Sequence, residues 1–117
     1  MSHHHNINYI EIPVKDIEAS KRFFSKVFDW SFVDYGPDYA GIIGAGIDAG
    51  LFLSDTTVSA SRGSVLVVLY SENLKQSQQS ITGQDGEITK PIFTFPGGRR
   101  FHFCDPNGNE YAVWSDL

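Results

Sequence analysis

The sequence lacks several features that mark large classes of proteins. It has one cysteine, Cys104, so no disulfide can form within the chain and a reducing compartment is expected. No apolar run approaches the roughly 20 residues that a membrane-spanning helix needs. The first residues are polar and lack the apolar core of a signal peptide. These absences predict a cytoplasmic protein that does not interact with a membrane.

Basic residues are also in short supply. Nine lysines and arginines stand against 14 aspartates and glutamates, which gives a formal net charge of −5 and an isoelectric point near 5.1. Because contacts to phosphates dominate binding to nucleic acids, an acidic chain without a basic run is a poor nucleic-acid binder. The length of 117 residues fits one domain and is too short for a TIM barrel or a Rossmann dehydrogenase with its substrate domain.

Histidine is scarce outside the first few residues. His3, His4 and His5 are adjacent, and we interpret them as a polar tail or the remnant of a purification tag. The rest of the chain contains only His102. A metal site that needs several histidines from the folded part of the chain is therefore excluded.

Apolar residues are plentiful, at 41% of the chain, and their spacing predicts an ordered set of elements. Residues 7–14 alternate between apolar and other side chains, which predicts a strand. Asp16 can cap a helix over residues 17–28, where apolar residues recur with helical spacing. Three short apolar runs separated by turn residues then predict an antiparallel meander over 31–35, 39–43 and 49–53.

The same order of elements then repeats. Residues 54–63 are small and polar and form the only obvious linker. A strand over 64–70 precedes a helix over 74–82 that Asn73 can cap, and three further strands are predicted at 86–95, 99–104 and 110–115. The sequence thus predicts one α+β domain over residues 1–117, built from two βαβββ modules at about 6–54 and 63–117. The modules must pair, because each is too small to bury its sheet face alone.

Two segments of this pattern carry a resemblance to a known family. They are the opening strand and helix, with Tyr9-Ile10-Glu11-Ile12-Pro13-Val14-Lys15-Asp16, Phe23-Phe24 and Val27-Phe28-Asp29-Trp30, and the closing segment Phe101-His102-Phe103-Cys104-Asp105-Pro106-Asn107-Gly108-Asn109-Glu110. Together with the βαβββ order, they resemble the vicinal oxygen chelate superfamily, which contains glyoxalase I, bleomycin-resistance proteins and extradiol dioxygenases. The resemblance implies a cupped mixed sheet with the helices outside, which encloses a small ligand. Many members are dimers, and a homodimer would also cover open sheet edges.

The resemblance also implies where a metal would be held. Members that use a metal bind it through His, Glu or Gln on strands that line the cup. The matching positions here are Tyr9, about Leu66, Ala112 and the strand at 49–53, and none of them supplies such a side chain. The expectation is a protein without a metal or other cofactor.

Strand alternation predicts which side chains line the cup. Tyr9, Tyr70 and Trp114 fall on the strand faces that line it in the resembling family, and we predict that they bind the flat or apolar part of a small molecule. Arg100 is predicted to bind its polar end. The alternative is that the aromatic side chains only pack as core and that the arginine is solvated.

If the protein is an enzyme, Glu11 and His102 are predicted to be catalytic, with Glu110 as an alternative to Glu11. Glu11 could act as a general base, as could Glu110, and His102 could move a proton or orient a ligand. The alternative is that the glutamates are solvated and that His102 is simply half-buried.

The sequence therefore supports two functions. The first is a metal-independent small-molecule binding protein of the bleomycin-resistance kind, with an aromatic cup. The second is a lactoylglutathione-lyase-like lyase or isomerase that acts on a small carbonyl compound. The missing set of His and Glu metal ligands favours the first. A third alternative is an accessory domain whose cup is filled by its own side chains.

Overall fold

A computed structural model describes residues 3–117 and confirms the βαβββ order in both halves of the chain. A short 3₁₀ helix, Ala60–Arg62, lies in the segment between the halves. No helix in the described range is long and apolar enough to cross a membrane. The elements in chain order are β1 (Tyr9–Val14), α1 (Ile17–Phe28), β2 (Ser31–Asp34), β3 (Tyr39–Ile43), β4 (Asp48–Leu53), β5 (Val67–Tyr70), α2 (Leu74–Gly83), β6 (Glu87–Phe95), β7 (Gly98–Cys104) and β8 (Glu110–Ser115).

Both helices begin at the predicted capping residues. The Asp16 side chain accepts a hydrogen bond from the backbone N–H of Ala19, and the Asn73 side chain accepts one from Gln76. Asp29 caps the C-terminal end of α1: it adopts the left-handed conformation with φ 62° and donates its N–H back to the helix. The chain therefore turns sharply into β2.

The strands form two four-stranded mixed sheets. Sheet 1 has the order β1-β4-β3-β2, and sheet 2 has the order β5-β8-β7-β6. In each sheet the first strand pairs in parallel with the last strand of its module, and the other pairs are antiparallel. The identical order in the two sheets confirms that the chain is a structural repeat.

Strand β5 is shorter than its predicted range of 64–70. Ser64 is still part of the turn that follows the 3₁₀ helix, because its backbone N–H and its hydroxyl both donate to the carbonyl of Ser59. The regular ladder with β8 begins at Val67, which pairs with Tyr111. Apolar alternation marked the strand but could not reveal this turn.

One hydrophobic core serves both sheets. Ile12 and Leu51 of sheet 1 belong to the same buried cluster as Phe101 and Phe103 of sheet 2. Helix α1 contributes Phe24, whose ring stacks on Trp30 at 4.7 Å between centroids and meets Tyr111 edge-on at 5.3 Å. Since both sheets turn one face to this shared core, their opposite faces point away from it.

The turn between β7 and β8 joins the two modules. The Asn107 side chain accepts hydrogen bonds from the backbone N–H groups of Lys15 and Asp16 at 3.0 and 2.8 Å, and it donates to Ser20 Oγ at 2.7 Å. Asn109 donates to the carbonyl of Pro13 at 2.7 Å. The turn in the second module is thus hydrogen-bonded to the junction of β1 and α1 in the first module.

Candidate functional site

The outer face of sheet 2 carries a group of polar and aromatic side chains outside the core. Tyr111 and Val113 of β8 point into the core, as do Phe101 and Phe103 of β7, so the intervening residues of these strands lie on the other face. We call this surface the outer face of sheet 2. Its side chains include Tyr70, Lys90, Phe93, Phe95, Arg100, His102, Glu110, Ala112 and Trp114.

His102 and Glu110 form a pair at the base of this face. His102 is only 5% exposed, and its Nδ1 lies 2.9 Å from Oε2 of Glu110. The hydrogen bond from His102 lowers the pKa of Glu110, and a further bond from the Ala60 N–H acts in the same direction. The carboxylate is therefore ionised at neutral pH and can only accept hydrogen bonds.

The hydrogen bond to Glu110 determines the tautomer of the neutral His102 ring. Because Glu110 is an acceptor, the proton of a neutral His102 ring resides on Nδ1, and Nε2 presents its lone pair. Nε2 is buried and has no hydrogen-bond partner within residues 3–117. Glu110 is itself held in place, since Oε1 accepts from the Ala60 N–H at 2.8 Å and from the Ser59 hydroxyl at 3.3 Å.

Two cations and two phenylalanines lie beside this pair. The Arg100 guanidinium stands 5.4 Å from the ring centroid of Phe93 and 5.7 Å from that of Phe95, and the Lys90 ammonium is 5.3 Å from Phe93. These are cation–π distances. The Phe93 ring also lies 5.9 Å from the ring of His102. The outer face thus combines positive charge with flat apolar surface.

Tyr70 and Trp114 extend the aromatic surface toward the edge strand β5. Their rings meet edge-on at 5.2 Å, and Trp114 lies 6.4 Å from Phe95. Tyr70 is 50% exposed and donates its hydroxyl to Asp116. Neither residue belongs to the hydrophobic core, so these two aromatic side chains are not explained by core packing.

The outer face of sheet 1 carries a smaller cluster. The Tyr9 and Tyr39 hydroxyls are 2.6 Å apart, and the Tyr39 hydroxyl donates to Oε2 of Glu11 at 3.0 Å. Burial and these hydrogen bonds raise the pKa of Tyr39 far above its ordinary value. Gly50 makes room for both phenols, because a Cβ there would lie 2.0 Å from the Tyr39 hydroxyl.

An apolar groove of about 630 Å³ lies where sheet 1 approaches β5. It contains no ionisable group other than the Tyr70 phenol, so it offers little means of orienting a polar ligand. Its lining residues are Ile7, Ile10, Ile12, Phe28, Trp30, Ile42, Ala45, Ile47, Ala49 and residues 65–70.

The structure brings together some of the predicted site residues. Arg100, His102, Tyr70 and Trp114 share the outer face of sheet 2. Tyr9 and Glu11 lie on the outer face of sheet 1, and Glu11 is paired with Tyr39 rather than with His102. Both outer faces point away from the shared core, so within one chain Tyr9 does not face Tyr70 and Trp114.

Sequence reasoning missed several members of this site. Lys90, Phe93 and Phe95 lie on β6, whose pairing with β7 shifts register between Ile88 and Lys90 and again between Lys90 and Phe93. Simple alternation therefore cannot assign the faces along this strand. Pro91 was the available signal, because a proline within a strand marks an edge or a bulge.

The residues present do not fit the metal that the resemblance implies. Ala112 has no donor atom, Leu66 lines the apolar groove, and the Tyr9 hydroxyl is bonded to Tyr39. Within residues 3–117, no group of three or more His, Cys, Asp or Glu side chains could hold a metal ion. The cations of Lys90 and Arg100 near His102 further disfavour a divalent ion there.

The fold and the face together define a class of protein: a paired βαβββ repeat with a polar and aromatic surface on one sheet. The model of the Glyoxalase/Bleomycin resistance protein/Dioxygenase superfamily matches residues 6–113. The chain belongs to this superfamily, as the two sequence segments predicted. A search of the curated proteins found no match.

Solved structures with the same fold are distant in sequence. A glyoxalase-related enzyme from Fulvimarina pelagi is 21% identical, with a TM-score of 0.77 over 95% of this chain and 88% of the other. A family enzyme from Burkholderia phytofirmans PsJN is 15% identical, with a TM-score of 0.79 over 94% and 98%. The fosfomycin resistance protein FosX from Listeria monocytogenes, solved with Mn(II) and 1S,2S-dihydroxypropylphosphonic acid, is 18% identical, with a TM-score of 0.76 over 94% and 89%. At these identities, the comparison establishes the fold alone.

Proposed function

We propose that this protein is a metal-independent small-molecule binding protein whose ligand lies on the outer face of sheet 2. The observation that carries the proposal is the aromatic layer of Tyr70, Phe93, Phe95 and Trp114, which lies outside the core and next to the buried His102. Partly exposed aromatic surface with a few convergent polar groups is characteristic of ligand sites. A cup filled only by its own side chains would instead bury these rings.

The proposal includes a second copy of the chain. Tyr9 was predicted to share a pocket with Tyr70 and Trp114, and the two outer faces of one chain cannot meet. In a two-fold homodimer, the outer face of sheet 1 of one copy can cover the outer face of sheet 2 of the other. Tyr9 would then complete the aromatic pocket from the partner.

Tryptophan fluorescence tests this function. Trp30 is buried in the core against Phe24, whereas Trp114 lies on the proposed ligand face. In a screen of small aromatic and heteroaromatic compounds, a bound ligand should change the emission of Trp114. Trp114→Phe should abolish the change, and the matched variant Trp30→Phe should retain it. A ligand whose signal survives Trp114→Phe and disappears with Trp30→Phe would bind elsewhere and contradict the proposal.

The pair of His102 and Glu110 favours a second candidate, a lyase or isomerase that acts on a small carbonyl compound. Nε2 of His102 could take a proton from the carbon next to a carbonyl and return it to the neighbouring carbon, with Glu110 stabilising the charged ring. Turnover of the adduct of methylglyoxal and glutathione that is lost in His102→Gln would support it. Absence of turnover would leave binding as the function.

A further inference from the structure

Two buried nitrogen atoms on the outer face of sheet 2 have no hydrogen-bond partner within residues 3–117. They are Nε of Arg100 and Nε2 of His102. Both side chains project from the same face of β7, two residues apart, or about 6.6 Å along a strand. Buried polar atoms without partners are rare in folded proteins because each one has lost its hydrogen bonds to water. Two of them side by side indicate a place where an external group supplies the missing bonds.

The two atoms need opposite partners. The guanidinium of Arg100 is permanently protonated, so its Nε can only donate and needs an acceptor. The Nδ1 proton of a neutral His102 ring is directed to Glu110, so Nε2 is an acceptor and needs a donor. A simple anion has no proton to donate to Nε2, and a simple alcohol carries no negative charge to pair with the guanidinium.

We propose that Arg100 Nε and His102 Nε2 form the polar subsite for a small hydroxy acid, that is, an anion that also carries an O–H group. The anionic oxygen accepts the hydrogen bond from Arg100, and the hydroxyl donates to His102. The apolar part of the ligand lies against Phe93 and Phe95. This inference rests on the proposed function, because it assigns the chemistry of the ligand on the same face.

Glu110 has a positioning role in this subsite. It contacts His102 rather than the ligand, and it is held by the Ala60 N–H and the Ser59 hydroxyl from the segment between the modules. Its carboxylate decides which ring nitrogen of His102 carries the proton. Lys90 has no such role: it adds positive charge over Phe93 but does not bond either buried nitrogen.

Three related probes separate the two hydrogen bonds. Mandelate has a phenyl ring, a carboxylate and a hydroxyl, phenylacetate lacks the hydroxyl, and mandelamide lacks the charge. Binding is followed through Trp114 fluorescence. We expect mandelate to bind about tenfold more tightly than either of the other two, since phenylacetate offers His102 Nε2 no donor and mandelamide offers the Arg100 cation only an uncharged acceptor.

Substitutions should remove each preference separately. Arg100→Met should abolish the preference for mandelate over mandelamide and keep the preference over phenylacetate. Glu110→Gln should abolish the preference for mandelate over phenylacetate and keep the preference over mandelamide. The glutamine amide no longer holds the proton of the neutral His102 ring on Nδ1, so Nε2 is no longer a dedicated acceptor. Arg22→Met, which removes an exposed arginine of α1 away from this face, is the matched control and should keep both preferences. Thermal melting of each variant verifies that it is folded.

A nitrogen-15 spectrum of the wild-type protein provides an independent readout that does not depend on any variant. In the neutral ring of His102, Nδ1 should carry the proton and Nε2 should not. A proton on Nε2 would overturn the proposal. Equal binding of all three probes would also overturn it while leaving the proposed function intact. If none of the three changes the Trp114 signal, the hydroxy-acid subsite is wrong, and the wider screen alone decides the proposed function.

Discussion

At the scale of single residues, the site is defined by an alanine, Ala112, at a position where a metal ligand is expected in the family. His102 pairs across the sheet with Ala112, the position at which metal-using members of the family are expected to hold a ligand. A methyl group there cannot bind a metal, and the neighbouring histidine is bonded to Glu110 instead. The polar chemistry of this face therefore comes from a hydrogen-bonded pair on two adjacent strands.

This alanine leads to a prediction about metal content. Protein that lacks residues 1–5, and with them His3, His4 and His5, should contain no stoichiometric Ni, Zn or Fe, because the described residues offer no set of three suitable donors. Elemental analysis of the purified protein measures this directly. Close to one tightly held metal ion per chain would contradict both this prediction and the metal-independent function.

Asp105 gives a prediction about pH. Burial raises the pKa of Asp105 to about 6, against the backbone N–H bonds that its carboxylate accepts. Since the folded state binds this proton more tightly than the unfolded state, the free energy of unfolding should fall as the pH rises from about 4 to about 6, by up to about 3 kcal/mol. Asp105→Asn should remove that part of the pH dependence in denaturant titrations. Identical pH profiles for the variant and the wild type would contradict the assignment.

At the scale of elements, the turn between β7 and β8 holds the two modules together through hydrogen bonds. Asn107 is 8% exposed and bonds to Lys15, Asp16 and Ser20. Asn107 and Asn109 of this turn thus bond to residues more than 85 positions away in the sequence. The turn fixes how sheet 2 lies against α1.

Removing the Asn107 side chain should therefore destabilise the whole chain. Asn107→Ala should lower the free energy of unfolding by about 2–4 kcal/mol, because several polar groups lose their partners in a buried location. Asn73→Ala is a matched control: it removes one exposed capping bond to Gln76 and should cost about 1 kcal/mol. Chemical denaturation compares the two variants, and equal losses would show that Asn107 is only a turn residue.

At the scale of the whole molecule, we predict an assembly of two copies from the surfaces that one chain leaves exposed. β1 and β5 are edge strands of their sheets, Val65 is 87% exposed, and an apolar groove runs beside β5. Exposed edges and apolar grooves of this kind are usually covered in solution. The outer faces that hold Tyr9 and Trp114 point away from the shared core, so within residues 3–117 they do not cover one another.

We expect light scattering at micromolar concentration to give twice the chain mass of 13.0 kDa. In that dimer, Tyr9→Ala should weaken ligand binding on the partner's sheet 2 by about 1–3 kcal/mol, the usual scale for an aromatic anchor in a pocket. A mass of one chain would contradict the assembly. Unchanged affinity in the Tyr9 variant would place the ligand on sheet 2 alone.

The sequence by itself determined the elements and their order. Capping residues such as Asp16 and Asn73 and alternation along strands such as β8 are local signals, so they predict where elements begin and which side chains share a strand face. Alternation, taken with the family resemblance, also predicted that Tyr70 and Trp114 lie on one surface, and the two residues are cross-strand partners. Only the tertiary structure decided which surfaces meet. The partnership of His102 with Glu110, the register shifts around Pro91 and the separation of Tyr9 from Tyr70 depend on long-range packing around one shared core, and no local spacing encodes that packing.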